Sequence, residues 1–331
     1  MDDPRSAPPL RWGILGPGRI AAQFAAAVRD HTTGEVVAVG SRDASRAGAF
    51  AAAQDVAAAH GSYAALVADP AVEAVYVATP HSEHRDHALL AIRAGKHVLV
   101  EKAFTRNEAE AREVFDAAEA AGVFVMEGMW PRFLPHMAEL HRVLEDGAIG
   151  EPVALSADHG QWFAYDAGHR LFAPELAGGA LLDLGVYAVS FAHDVLGPPV
   201  SVQAAGVLTD TGVDGQVGAV LGYEGRAQAL ISTTLWAETP TRAAISGTEG
   251  RIEVAGRFYN SSPFTVTRRD GETWTFSHPL QKGLQYQAAE VARRVSAGER
   301  ESPRMSWQST LEVMRTMDEI RAQVGVAYPG E

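Results

Sequence analysis

The chain has 331 residues, with 41 acidic against 28 basic side chains for a formal charge of −13, and no cysteine. That excludes disulfides, thiol nucleophiles and Cys-ligated metal, and it argues against nucleic acid as a partner, which would need net positive surface. Hydrophobic residues make up 47%, enough for sizeable cores. No apolar run reaches the ~18 residues of a membrane span, and Met1–Pro9 lacks the apolar core of a signal peptide, so the expectation is a soluble, cytoplasmic protein of about two domains.

Residues 10–15 read as a strand, Ile20 to Val28 as a helix, Glu35 to Val39 as a strand and Ala44 to Gln54 as an Ala-rich helix. Ala74 to Ala78 and Val98 to Val100 read as buried strands with a helix, His84 to Ala94, between them. Glu108 to Ala121 reads as a helix and Val123 to Met126 as a strand. Continuous apolar strands alternating with amphipathic helices predict a doubly wound parallel sheet, an α/β Rossmann domain over 10–126. A helix, Phe133 to Glu145, then ends at Asp146-Gly147. Beyond it the pattern changes to period two, with strands at Val200 to Leu208, Val217 to Tyr223, Ala227 to Thr233, Arg242 to Ile245 and Arg251 to Val254. Asp214-Gly215 and Glu224-Gly225 read as turns. This half, 127–331, is expected to be an α/β domain with a large, mostly antiparallel open sheet. It contains one helix at Ala180 to Val195 and a last amphipathic helix over about 307–323 that packs back on the first domain.

Gly16-Pro17-Gly18-Arg19-Ile20-Ala21 follows the first strand and opens the first helix. This is G-x-G-x-x-A, the relaxed dinucleotide fingerprint. Gly16 permits the tight turn and Gly18 lets a pyrophosphate approach the backbone. The first amides of the helix, at Arg19 and Ile20, then face the phosphates. An NAD-specific site would put an acidic residue at the end of the second strand. Ser41 and Arg42 stand there instead, with Arg46 one turn on, and a hydroxyl and guanidinium suit the 2′-phosphate of NADP. Asp43 dissents, unless it caps the next helix.

Thr79 and Pro80 end the Ala74–Ala78 strand and are expected to border the cofactor. His81, His84 and His87 are spaced by three, so only adjacent pairs share a helix face. No metal site is expected; His84 packs in the first turn of the helix and is counted among the cofactor-binding residues. Glu101-Lys102 ends the next strand, at the ligand-binding edge of such a sheet; the alternative is an ion pair on its rim. Only three lysines occur, Lys96, Lys102 and Lys282. Unlike Arg, Lys can give up its proton.

Gly178-Gly179-Ala180-Leu181-Leu182-Asp183-Leu184-Gly185-Val186-Tyr187 puts Asp183 and Tyr187 four apart on one helix face. Such a pair suits hydroxyl recognition and proton transfer; a buried, hydrogen-bonded core Tyr is the alternative.

Together G-P-G-R-I-A, A-T-P-H-x-x-H, V-x-E-K and G-G-A-L-L-D-L-G-V-Y, in this order and spacing, resemble the glucose–fructose oxidoreductase/inositol dehydrogenase (Gfo/Idh/MocA) family over roughly 10–325. Met126-Glu127-Gly128-Met129-Trp130-Pro131-Arg132-Phe133 and Ser302-Pro303-Arg304-Met305 fit too. Tyr187 in place of the commoner His resembles the branch of dimeric dihydrodiol dehydrogenases and NADP-dependent D-xylose dehydrogenases. The resemblance implies hydride transfer at a carbinol or carbonyl carbon of a sugar, inositol or diol. It assigns catalysis to Lys102, Asp183 and Tyr187, with Glu101 and Lys102 also at the cofactor. Tyr187 is the preferred acid/base, since an ammonium lowers a phenol's pKa; Lys102 as immediate proton acceptor is the alternative. Trp130, Phe163 and Arg170 are weaker candidates for the substrate wall. The family's Glu-Lys-Pro is Glu101-Lys102-Ala103 here, and a non-proline peptide is expected to be trans. A homodimer is expected through a sheet face bearing Val217, Ala219 and Leu221 or their neighbours. Two other functions remain: a dinucleotide-sensing regulator with a silent site, and an NAD-dependent glycosidase.

Overall fold

The computed structural model describes residues 2–279 and 283–331. The chain forms two compact units, Met1–Phe133 with Lys282–Leu311, and Leu134–Gln281 with Glu312–Glu331.

The first unit is a six-stranded sheet, β1 (Arg11–Leu15), β2 (Glu35–Gly40), β3 (Ala58–His60), β4 (Ala74–Val77), β5 (His97–Glu101) and β6 (Val125–Gly128), in the order β3-β2-β1-β4-β5-β6. Every neighbouring pair is parallel. All residues of β4 and β6 are buried, as strands covered on both faces require. The helices are α1 (Arg19–His31), α2 (Ala44–Gln54), α3 (Tyr63–Val67), α4 (His84–Arg93) and α5 (Glu108–Ala121). Phe24 of α1 stacks on Tyr76 of β4, with ring centroids 3.9 Å apart, and meets Trp12 of β1 edge-on at 5.1 Å. That cluster fixes α1, and so the turn before it, on β1 and β4. These are the strands between which the strand order reverses, where such sheets bind ligands.

In the second unit α6 (Pro135–Glu145) precedes β7 (Pro152–Gly160). A single π-helical turn, Leu181–Gly185, then runs into α7 (Val186–Leu196). The remaining strands are β8 (Ser201–Leu208), β9 (Asp214–Gly222), β10 (Gln228–Thr234), β11 (Ala243–Gly247), β12 (Gly250–Val254), β13 (Phe264–Arg268) and β14 (Thr273–Phe276), in the order β14-β13-β12-β11-β7-β10-β9-β8. Among the described residues of this sheet only β7 and β10 pair in parallel. Asp214-Gly215 is not a turn: it opens β9, with Asp214 fully buried. Its carboxylate accepts from the amide of Leu181 at 2.6 Å, a role that needs burial rather than exposure.

Alternate residues of this sheet are buried, among them Leu155, Ala157, Val217, Ala219, Leu221 and Ile231. Val217, Ala219 and Leu221 therefore belong to the packed face. The opposite face is lined by Ala205, Gly218, Val220, Leu230, Ser232 and Ala244, and Leu230 is half exposed. The chain returns to the first unit with α8 (Leu284–Ser296), and α9 (Trp307–Val324) follows. Near its end, Gln323 donates to the carbonyl of Val202 and accepts from the amide of Ala204, both on edge strand β8, which uses up part of an edge that could pair with another chain.

The stretch Pro174–Leu196 is long and apolar enough to cross a membrane but is 94% buried within the protein. It is the core helix of the second unit.

Candidate functional site

In the first unit, Gly16 has φ +95°. A Cβ there would lie 2.8 Å from the carbonyl of Ala78, so both the backbone sign and the contact require glycine. Gly18 is the N-cap of α1 and no side chain caps the helix. A Cβ on Gly18 would meet nothing within 4 Å. The opening amides of α1, at Arg19 and Ile20, thus have no capping side chain, and Gly18 and Arg19 are exposed. This is a cradle of the kind that takes phosphate.

At the end of β2, Ser41 is buried and its Oγ accepts from the amide of Asp43 at 3.2 Å. Asp43 caps α2: its Oδ1 accepts from the amide and hydroxyl of Ser45, at 2.8 and 2.6 Å, and from the amide of Arg46 at 3.3 Å. Those bonds hold its carboxyl below the usual range. Arg42 and Arg46 are both exposed. Burial pushes the phenol of Tyr63 up, while Arg42, close enough to hydrogen-bond it, acts the other way.

Thr79 and Pro80 follow β4 and are half-buried. The Thr79 hydroxyl lies 3.0 Å from His87 Nδ1, and the His87 ring meets Tyr63 edge-on at 4.5 Å. His84 is fully buried, with Nε2 2.8 Å from the Thr79 carbonyl and Nδ1 2.9 Å from the Ala103 carbonyl. Burial pushes its imidazole down to about 3. The carbonyls of Thr79 and Ala103, one facing each ring nitrogen, oppose that fall. The ring braces the loop after β4 against the loop after β5. Among the described residues no group of three His, Asp or Glu is placed to hold a metal.

Glu101 is buried at the end of β5 and accepts from the Tyr76 hydroxyl. Lys102 follows it, half-buried. The Lys102–Ala103 peptide is cis, which corrects the expectation of a trans bond. Ala103 is fully buried with its carbonyl against His84. Glu127 on β6 is fully buried, and Thr310 donates to its Oε2 at 3.3 Å. Burial pushes its carboxyl up to about 7, against the lowering effect of the Arg132 guanidinium. Trp130 is half-buried in a 3₁₀ turn, Trp130–Phe133.

In the second unit the structure brings Arg170 and Asp183 together. Arg170 Nη1 and Nη2 donate to Asp183 Oδ1 and Oδ2 at 3.1 and 3.2 Å. Asp183 lies within the π-helical turn, a feature frequent at functional sites. Tyr187, one turn on, is largely buried and stacks on Tyr259, centroids 4.5 Å apart, with His159 at 5.5 Å. His159 in turn stacks on Tyr259 at 4.6 Å. Its Nδ1 donates to the Leu184 carbonyl at 3.1 Å, leaving Nε2 to accept from Gln161 Nε2 at 2.9 Å. Phe163 packs against Leu171, Phe172, Ala180, Leu184 and Leu235. His159, Gln161 and Tyr259 are absent from the sequence-based candidates, as are Tyr63, His87 and Glu127. Tyr259 carries no motif. Glu127 sits in the Met126–Phe133 segment, which could have flagged it.

Residues 10–129 match the family described as oxidoreductase, NAD-binding Rossmann fold, and residues 137–253 match the GFO/IDH/MocA C-terminal domain. The chain is 36% identical to a trans-1,2-dihydrobenzene-1,2-diol dehydrogenase of Xenopus laevis, over 96% of this chain and 99% of that one. It is 34% identical to a D-xylose 1-dehydrogenase (NADP(+)) of Hypocrea jecorina, over 97% and 93%. Among solved structures, a 3-ketoreductase from Actinomadura kijaniata in complex with NADP and TDP-benzene superposes with a TM-score of 0.87 at 26% identity, covering 96% of this chain and 98% of that one. The chain belongs to the Gfo/Idh/MocA oxidoreductase family.

Proposed function

We propose that this protein is an NADP-dependent oxidoreductase that moves a hydride between the nicotinamide and a carbinol or carbonyl carbon of a sugar, inositol or diol. The observation that carries the reading is the turn and helix of the second unit. They present a carboxylate, Asp183, and a phenol, Tyr187, four residues apart, each already held by its own neighbours. Its relatives' names supply the substrate class: a trans-dihydrodiol for one and D-xylose for the other.

The first unit's residues fit a dinucleotide. The uncapped start of α1 beyond Gly18 suits the pyrophosphate, and Thr79 and Pro80 edge the same end of the sheet. Ser41, Arg42 and Arg46 suit a 2′-phosphate, because the carboxylate that would read a ribose hydroxyl, Asp43, is engaged in capping α2. When bound, the nicotinamide supplies the two-electron hydride acceptor or donor. Lys102 and Tyr187 handle the hydroxyl proton, with Tyr187 Oη as the preferred acceptor on oxidation. Asp183, oriented by Arg170, accepts from substrate hydroxyls. Glu101 and His84 hold the segment that carries Lys102, and Trp130, Phe163 and Arg170 contribute to the substrate wall.

A cytoplasmic homodimer is part of this reading. The uncovered sheet face carries Val220 and Leu230, and a second copy is its occupant; light scattering at micromolar protein would contradict this with a mass near the 35.2 kDa of one chain. The regulator and glycosidase readings are not favoured, since the relatives are dehydrogenases and Lys102, Asp183 and Tyr187 are all present. The test is to mix protein and NADP with a panel of aldoses, inositols and diols, D-xylose and trans-1,2-dihydrobenzene-1,2-diol included. Net growth of the reduced-nicotinamide absorbance supports a dehydrogenase; a sensor or a glycosidase with a transient redox cycle gives none.

A further inference from the structure

The turn that starts the Asp183–Tyr187 helix is built from two glycines, whose amides donate to the nearby carbonyls of Ala173 and Leu171 at 3.1 and 2.8 Å, while two side chains that hold it, Asp214 and Tyr328, come from far away in the chain. Gly179 has φ +116°, and a Cβ there would lie 2.2 Å from Asp214 Oδ1. Asp214 Oδ2 accepts from the amide of Leu181 at 2.6 Å, two residues before Asp183. On the other side of the turn, the hydroxyl of Tyr328 donates to the carbonyl of Gly178 at 2.6 Å.

Tyr328 is itself held. Arg321 lies over its ring, with Cζ 4.8 Å from the centroid. The same guanidinium donates to Glu331 Oε2 from Nη1 at 3.0 Å, and from Nη2 to Glu331 Oε1 at 2.9 Å and to Asp318 Oδ1 at 3.0 Å. Glu331 Oε2 also accepts from the amide of Tyr328 at 2.9 Å. Arg321 and Tyr328 are both buried, and the side chains of Glu331 and Asp318 that meet the guanidinium are 19% and 29% exposed, so the bonds are partly shielded from water. Burial pushes the Asp214 carboxyl up to about 7, with Arg321 opposing the rise. Surface charge would serve none of these purposes: a buried Arg with two acid partners is costly to assemble and is retained where it fixes a geometry.

We infer that Tyr328, clamped by Arg321 and Glu331, is a positioning residue for the Gly178–Gly179 turn, and through it sets where Asp183 and Tyr187 point. The latch is assigned to the turn and not to the chemistry. It acts by holding one end of a short π-helical turn whose register decides the direction of two side chains. A misplacement of about 1 Å at a reacting group can cost on the order of a hundredfold in rate, so a hydrogen bond at the root of that turn has leverage. The inference rests on the reading that Asp183 and Tyr187 act on the substrate.

The test uses the full chain with Tyr328→Phe, which keeps the ring under Arg321 and removes only the hydroxyl, beside Glu331→Gln and Tyr187→Phe. Two readouts are taken: amide hydrogen exchange over residues 178–187, and steady-state kinetics with NADP and whichever of D-xylose or trans-1,2-dihydrobenzene-1,2-diol the wild type oxidises. For Tyr328→Phe, exchange at 178–187 should speed up by about tenfold. Its kcat should fall about tenfold, and its KM for NADP should stay within about twofold of wild type. Glu331→Gln should move both readouts the same way by about threefold, and it decides the matter if Tyr328→Phe does not fold. A purely structural role would lower the melting temperature and leave kcat per folded molecule alone. Wild-type exchange and kcat in the folded latch variants, with Tyr187→Phe inactive, would overturn the latch and spare the site. Normal turnover in Tyr187→Phe would instead overturn the site, and the exchange result alone would then judge whether Tyr328 sets the turn.

Discussion

Arg170 lays both terminal amines on the two carboxylate oxygens of Asp183, at 3.1 and 3.2 Å, from thirteen residues away in the chain. The fork fixes the plane of the carboxylate, which a single charge contact would leave free to rotate. Asp183 is thereby turned from a generic acceptor into an oriented one. Arg170→Ala should lower kcat/KM for a polyhydroxylated substrate by about tenfold. Hydrogen bonds to charged groups contribute about 1.5–3 kcal/mol, and the half-exposed Arg170 side chain argues for the lower end. Arg170→Lys should recover little, because an ammonium cannot form the fork. Wild-type kcat/KM in Arg170→Lys would show that charge alone suffices.

Lys102→Met and Tyr187→Phe should each lose about 10²–10⁴-fold in turnover, the usual effect of removing a positioned acid/base group. Both should keep NADP affinity and a melting temperature near wild type. A folded Tyr187→Phe with normal turnover would assign the Tyr187–Tyr259–His159 stack to packing alone.

Cofactor preference is assigned to Arg42. Arg42→Ala should weaken NADP by roughly 10- to 150-fold, the equivalent of one charged hydrogen bond, and leave NAD nearly unchanged. The loss should shrink at high salt because Arg42 is exposed. Fluorescence titration of both dinucleotides into both proteins decides it. Equal weakening of NAD and NADP would mean that Arg42 does not read the 2′-phosphate.

The buried carboxyl of Glu127 gives a pH-dependent signature. Its value in the folded protein is raised to about 7 from an ordinary 4.5. A raised acid stabilises the fold below its unfolded pKa, and that contribution is lost as pH climbs from about 4.5 through 7. His84 runs the other way. Its imidazole, held down to about 3, gives stability above its ordinary 6.5 that is lost as pH falls below it. The two offset each other between about 4.5 and 6.5. Glu127→Gln removes only the first term. The melting temperature of Glu127→Gln relative to wild type should therefore rise between pH 5 and pH 8. A constant difference across that range would show that Glu127 does not titrate there.

Much of the first unit is legible in the sequence because its signals are local. β1, β4 and β5 are contiguous apolar runs, Gly16 and Lys102 stand immediately beyond strand ends, and Gly18 follows two residues after Gly16. The short β3 and α3 are too brief to show a period. α8 does carry helical spacing at Leu284, Ala288, Val291 and Ala292, and β13 and β14 alternate over residues 264–268 and 273–276; these signals lie outside the elements predicted above. Asp214 reads as a turn residue because Asp-Gly is a turn word, and nothing local tells that its carboxylate caps a turn 33 residues earlier. The motif residues Asp183 and Tyr187 are visible as a word, but their surroundings are not. Tyr259 reaches Tyr187 from 72 residues away and Tyr328 reaches Gly178 from 150. Such pairings exist only once the sheet and helices have packed.

The most direct test of the account is an initial-rate comparison of NADP and NAD with one panel of aldoses, inositols and vicinal diols, followed at the reduced-nicotinamide absorbance. The account predicts sustained reduction with at least one member of the panel, faster with NADP than with NAD, and slowed by about a hundredfold or more in Lys102→Met. Absence of turnover across the panel in both directions with folded, NADP-binding protein would contradict it, and so would a clear preference for NAD.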